Sequence, residues 1–516
     1  MALTRFERFL ASVLRVAVGM LFAVFQLLAQ RRGADRSVRR LPPITNPLLR
    51  VPAMRLARMI RRREVTSVEV VQTYIDRIQE INPLINAMVK DRFSLALQEA
   101  AQVDKLIEEE TGGEDVLEDR LPLLGVPFTV KEAFSLQGMP NSTGLVSRRG
   151  VISATDAPPV ALLKRAGAIP LGVTNCSELC MWLESHNRLY GITNNPYDLE
   201  RIPGGSSVFW GGGGSVIGVG SDVGGSIRIP AFFNGIFGHK PTSGEGIQSD
   251  TCAQCVRYAT DLLPMLRVME ELSLSSEVDL KRLRFFSVPH DGGSPLVSPV
   301  DQQLVLAQRR VSRPGVKVQQ LKIPQLKYSF QIWSAMMGAP GKDGKQPTSF
   351  AELMSDHGKK VWPLWEMAKW TVGLSKHTVA AIGMFQRSQP TQLILQQKES
   401  LQKDLEELLG TDGVLLYPSH PHLAPKHHHP LFTPFNFSYT GIFNILGLPV
   451  TQCPLGLSEE GLPLGLQLVV GKQQDRLSLA TAVFLEKTFG GWRDPGSIAT
   501  ATTQLDTRRG ASTTAS

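Results

Sequence analysis

At 516 residues, 42% of them hydrophobic, the chain has enough apolar material to bury a large core and reads as globular rather than disordered. Its net charge of +8 is not spread over the body: residues 1–63 hold 14 Arg, no Lys and 2 acids, a surplus of +12, and the remainder sums to −4. A nucleic-acid surface needs its basic residues on the folded body, so the charge argues against nucleic acid as a partner.

The first predicted element is apolar. Val16 to Ala29 is interrupted only by Gln26, and five arginines follow between Arg31 and Arg40. Extending the run back to Phe9 reaches a length near the ~20 residues that cross a bilayer. The reading is membrane attachment, spanning or interfacial, with the arginines at anionic headgroups. A cleaved signal peptide fits less well, because no clean small-residue cleavage site follows. Residues 1–44 are therefore a membrane-anchor segment.

Beyond it, helix and strand alternate. Thr66 with Glu69 forms a capping box, and Val71, Ile75 and Ile78 recur at helical spacing until Pro83. GVPFTVKEAF reads as a buried strand ending near Lys131, and ALLKRAGA as a helix leading into the strand IPLGVTN. DGVLLYP and LGLPVTQCP are further strands, the second closed by Pro454. Such alternation predicts one α/β unit, a mixed sheet flanked by helices, over residues 45–495, with a small, polar, disordered tail at 496–516.

Two clusters invite a metal reading and neither supports one. Cys252 and Cys255 form a single CxxC, read as a pair of thiols in a loop, and the total of 5 cysteines is odd. His427 to His429 lie in a proline-flanked stretch and do not share a helix face. No metal or organic cofactor is expected.

The chemistry concentrates in GGSSVFWGGGGSVIGVGSDVGGSIRIP, residues 204–230. A phosphate loop would end in GK[ST], and the nucleophile elbow of α/β-hydrolases would read GxSxG; neither is present. What remains is a serine directly after two glycines, in DVGGS, where glycines let backbone amides converge on an oxyanion. Its base can be a lysine that burial makes neutral, and Lys131, at the end of an apolar run, is the candidate.

Taken together, GVPFTVKEAF with Lys131, GGSS at Gly204 to Ser207, and GSDVGGSIRIPAFFNGIFGHKP from Gly220 resemble the amidase signature enzymes. The likeness runs over about 45–495, and VTNCSELCMW, PFNFSYTGIFNILGLPVTQCPLGL and FLEKTFGGW place it in their membrane-associated fatty-acid amide hydrolase branch. The resemblance implies a single domain with a large twisted mixed β-sheet and helices on both faces. It also implies a serine hydrolase that cleaves long-chain fatty-acid amides to fatty acid and amine. Ser226 is then the acylated nucleophile, Ser206 the proton relay and Lys131 the base, while the amides of Val223, Gly224, Gly225 and Ser226 form the oxyanion hole. A location at an intracellular membrane or lipid droplet, and a homodimer as one assembly, follow from the same likeness.

The chain departs from that pattern in two places. Val208, Phe209 and Trp210 stand where glycines are usual, and the 20 positions between Ser206 and Ser226 are about four too few, slightly more than one helical turn. The segment after Pro241 is also short, in a region expected to wall the acyl pocket. A catalytically impaired amidase-like protein that binds lipid or partners at a membrane is therefore the alternative reading.

Overall fold

A computed structural model of the chain describes residues 40–498 apart from 206–207, 244–251, 271–276, 313–314, 341–346, 349, 356–360 and 384–390. Residues 1–39 of the predicted anchor, Ser206 and most of the predicted tail lie outside the described residues. Among the described residues, no helix is long and apolar enough to cross a membrane. Leu41 and Ile44 are core residues, so the folded body takes in the end of the segment assigned to the anchor.

Thirteen strands are described: β1 Met88–Asp91, β2 Pro127–Lys131, β3 Ile169–Thr174, β4 His186–Asn187, β5 Gly191–Ile192, β6 Ile217–Ser221, β7 Phe237–Lys240, β8 Cys252–Val256, β9 Arg284–Ser287, β10 Val318–Gln320, β11 Gly413–Tyr417, β12 Val450–Leu457 and β13 Pro463–Val470. Eleven join one sheet in the order β1-β3-β2-β6-β8-β7-β12-β13-β11-β9-β10, and β4 and β5 form a separate ribbon. β2 runs parallel to both β3 and β6, whereas β8 lies antiparallel between β6 and β7, so the sheet is mixed as expected. Every residue of β13 is buried, which requires cover on both faces of the sheet at that strand.

Local signals mostly held. The helix Ser67–Ile85 is capped by Thr66, whose side chain accepts from the Glu69 amide. It does not stop at Pro83 but runs to Ile85, because a proline in the last turn forfeits little of the ladder, and Asn86 then ends it in the left-handed conformation. β12 likewise continues through Pro454, with an irregular register between Pro454 and Leu457 that accommodates the missing donor. Cys252 and Cys255 lie on β8 rather than in a loop.

The irregular residues after the GGSS run form a short helix, Val208–Gly212, that leads into β6. Phe209 and Trp210 are fully buried. The Trp210 indole N–H reaches Thr129 Oγ1 at 3.1 Å and the Ile217 carbonyl at 2.9 Å. Its ring lies so close over Gly218 that any Cβ there would collide with it. The shortened connection is thus packed into the core on a position that only glycine permits.

Candidate active site

Because β2 and β6 are parallel neighbours, with Val130 opposite Val219, their carboxyl ends lie side by side. Lys131 closes β2, and the loop from Asp222 to Ser226 leaves β6. Ligands of parallel α/β sheets bind at this edge. The stem of Lys131 passes Gly220, and the lysine is buried at 4% exposure.

The Asp222–Ser226 loop is held by a buried polar clamp. Asp222 and Arg228 are both fully buried and pair through Asp222 Oδ1 and Arg228 Nη2 at 2.9 Å, with Arg228 Nε on Oδ2 at 3.0 Å. Arg228 also donates to Gln467 at 3.0 Å and to Asn444 Oδ1 at 2.6 Å. Burial works against the Asp222 carboxylate, but Arg228 and Asn444 outweigh it and hold it well below the usual carboxylate range.

Three successive carbonyls of the loop are each held by a side chain. Asn444 donates to the Asp222 carbonyl, Trp333 Nε1 to Val223 at 3.2 Å, and Thr440 Oγ1 to Gly224 at 2.7 Å. In a trans peptide the N–H points opposite its carbonyl. The amides of Val223 and Gly224 are thereby turned away from these donors, and among the described residues neither they nor the Ser226 amide has an acceptor. The Gly225 amide differs from the expectation: it donates to Asp222 Oδ1 at 2.7 Å, so it braces the loop instead of joining the other three. Gly225 has φ 117°, and a Cβ there would collide with the Thr440 hydroxyl.

Ser226 is half-buried at the head of the Arg228–Phe233 helix. Gly205, just before the undescribed Ser206 and Ser207, packs against Pro230 and approaches the Ser226 carbonyl, so the chain enters the GGSS run beside the nucleophile candidate. An aromatic wall stands on the other side: Trp333 and Phe437 meet edge to face at 4.7 Å, Phe330 and Phe435 lie 4.1 Å apart, and Phe437 sits in contact range of Gly224.

The environment of Lys131 is not the apolar one anticipated. Burial disfavours its ammonium, but the Cys180 and Cys176 sulfurs and Asp222 more than compensate, so its proton affinity is raised rather than lowered. Cys180 was not singled out as a site residue, and sequence carries little sign of it, since 49 positions separate it from Lys131. Glu132 is also buried, where it accepts from the Ser142 amide and hydroxyl, each at 2.6 Å. A second buried lysine, Lys240 of GHKP, donates to the Pro241 carbonyl at 2.7 Å. Burial first, then Arg228, pull its pKa down to about 7. The histidine run does other work: His427 Nδ1 lies 2.6 Å from Glu184 Oε1, and His428 is 3.6 Å from the same carboxylate.

The amidase family model matches residues 69–261 and 249–479. Fatty-acid amide hydrolase 2-A of Danio rerio is 72% identical across 96% of this chain and 99% of its own length, and fatty-acid amide hydrolase 2 of Homo sapiens is 51% identical across 95% and 98%. The alignment with the Danio rerio protein spans 530 positions, more than the 516 residues here, so this chain lacks residues that the relative has. A solved fatty acid amide hydrolase shares the fold with a TM-score of 0.68 at 22% identity over 86% of each chain. A parallel pair of strands delivering a buried lysine and a glycine-serine loop to one edge, together with these matches, leads to one conclusion: the chain is an enzyme of the amidase family.

Proposed function

We propose that this enzyme hydrolyses long-chain fatty-acid amides to fatty acid and amine through an acyl-enzyme on Ser226. The observation that supports the reading is the loop before Ser226, whose Asp222, Val223 and Gly224 carbonyls are held by Asn444, Trp333 and Thr440, while the Val223, Gly224 and Ser226 amides have no acceptor among the described residues. A tetrahedral intermediate there would place its oxyanion among preorganised donors, each typically worth about 3 kcal/mol. Ser206 relays the Ser226 proton to Lys131, and the return of that proton expels the amine; water then releases the acid. The aromatic wall of Phe330, Trp333 and Phe437 offers an apolar surface for an acyl chain, in keeping with the names of the 72% and 51% identical relatives.

The substrate partitions into lipid, and the enzyme meets it there. Besides the apolar stretch within residues 1–44, the Pro363–Thr371 helix and its flanks expose Trp362 at 71%, Trp365 at 65% and Leu374 at 73%. Tryptophans at this exposure suit a headgroup interface, and they support a membrane or lipid-droplet location.

Because Lys131 must be neutral to accept a proton, and its neighbours favour the ammonium, the rate of Ser226 acylation rises with pH into the alkaline range. The test is intact-protein mass after a lipid-like fluorophosphonate. One adduct on the wild type, absent from Ser226→Ala and slowed in Lys131→Ala, followed by release of oleate from oleamide, is the expected result. A folded wild-type protein that takes no adduct would instead establish the impaired, lipid-binding reading.

A further inference from the structure

We propose that Trp333 is the positioning residue that aims the Gly224 amide at the oxyanion, and that it does so with the same ring that forms part of the acyl wall. The inference rests on the reading of Ser226 as the nucleophile.

A peptide group is planar, so whatever holds its carbonyl also fixes its N–H. The Val223 carbonyl and the Gly224 amide belong to one such group, and Trp333 Nε1 donates to that carbonyl at 3.2 Å. The neighbouring groups are set from elsewhere. The Asp222 carbonyl, and with it the Val223 amide, is held by Asn444, which also accepts from Arg228 and so belongs to the buried clamp. The Gly225 amide is engaged by the Asp222 carboxylate. Among the described residues, the Gly224 amide is thus the one donor of the loop whose direction is governed from the aromatic side.

The indole is itself closely seated. Trp333 lies on the Ser329–Met337 helix, one turn after Phe330, so the two rings share a face. Phe437 meets the Trp333 ring edge to face at 4.7 Å and the Phe330 ring in the same manner at 6.1 Å. Behind the indole, the Ser438–Ile445 helix passes at Gly441. A Cβ on Gly441 would come within 2.9 Å of Trp333 Cδ1 and 3.3 Å of Nε1. The ring therefore fills a seat that a glycine leaves open, and its N–H is held towards the loop.

Two functions then meet in one side chain. The ring presents apolar surface to an acyl chain, and its N–H fixes the tilt of a peptide whose amide must point at developing negative charge. A chain packed on the ring restrains the group that restrains the donor. An oxyanion donor acts on the transition state far more than on the bound substrate, so losing its alignment slows bond formation rather than weakening binding.

The experiment labels the full chain with two probes that phosphorylate serine: a fluorophosphonate with a long alkyl chain, and diisopropyl fluorophosphate, which has none. In both, the Ser226 oxygen displaces fluoride while the phosphoryl oxygen takes the place of the oxyanion. Trp333→Phe keeps an aromatic ring in the wall and removes the donor. It should lower the maximal labelling rate of the long-chain probe by about tenfold or more, with the half-saturating concentration within about twofold of wild type. Diisopropyl fluorophosphate should slow by the same factor. Gly441→Ala, which pushes the indole from its seat without removing it, should reproduce the loss and carries the test if Trp333→Phe does not fold. The double variant should label no slower than Trp333→Phe alone, since the donor that the new Cβ displaces is already gone, whereas a merely structural role would make the two losses add. A Trp333→Phe protein that labels at the wild-type maximal rate, or that slows with the long-chain probe alone, would overturn the proposal. A wild type that takes no adduct would remove the reading of Ser226 and this inference with it; a wild type that labels, beside variants that label equally fast, overturns this inference by itself.

Discussion

The loop that carries Ser226 and the helix that carries Trp365 solve opposite problems. The first has its charges buried and its carbonyls tied back to three partner side chains. The second leaves indoles and leucines in the open. Accuracy of about an ångström is needed where bonds are made, and a buried, fully partnered network supplies it at the cost of tolerating no single loss. A surface that meets lipid gains nothing from such rigidity. Substitutions in the two regions should therefore separate into those that cost stability and those that cost only delivery.

The largest effect is expected from Arg228→Met, which strands the Asp222 carboxylate in the core. Chemical denaturation should show a loss of about 3–5 kcal/mol, with fluorophosphonate labelling lost alongside. If Asp222→Asn combined with Arg228→Met recovers most of that stability but not labelling, the clamp serves geometry first.

Gly225→Ala comes next. It imposes a Cβ on a left-handed residue and on the Thr440 hydroxyl, with an expected cost of about 1–3 kcal/mol and a drop in labelling rate of at least tenfold. Adding Thr440→Ala should recover part of the stability, since it removes the hydroxyl that the new Cβ meets, although it also removes the donor to the Gly224 carbonyl.

Lys240 gives a pH-dependent case. Its pKa falls to about 7 in the folded protein, so between there and its ordinary value the unfolded chain binds more protons, and stability rises with pH over that window. Lys240→Met should flatten the rise between pH 7 and about pH 10. An unchanged slope in denaturant midpoints would place the effect elsewhere.

The smallest change in stability is expected at the exposed end of the comparison. Trp362→Ser with Trp365→Ser should shift the unfolding free energy by no more than about 0.5 kcal/mol while weakening sedimentation with phosphatidylcholine vesicles. A marked loss of stability would mean that the helix is covered in the folded protein.

Sequence reading reached those elements whose cause is local. Thr66 announced its helix because a cap acts within one turn, and β2, β3 and β11 announced themselves because each is a mostly apolar run buried throughout. The family motifs named Lys131 and Ser226, and β2 and β6 do bring their segments to one edge. The charge on Lys131 was not legible, since it depends on Cys180 arriving from another loop. Nor was the engagement of the Gly225 amide by Asp222, although both belong to one motif: their hydrogen bond follows from how Arg228 orients the carboxylate. Pro454 misled as a strand terminator because an irregular register absorbs it.

Trp210 over Gly218 has a further bearing on how such a chain can change. The indole occupies the volume that a side chain at position 218 would need, so any larger residue at 218 requires a smaller one at 210. The pair is therefore ordered: Trp210 must shrink before position 218 can grow, and the reverse order passes through a clash.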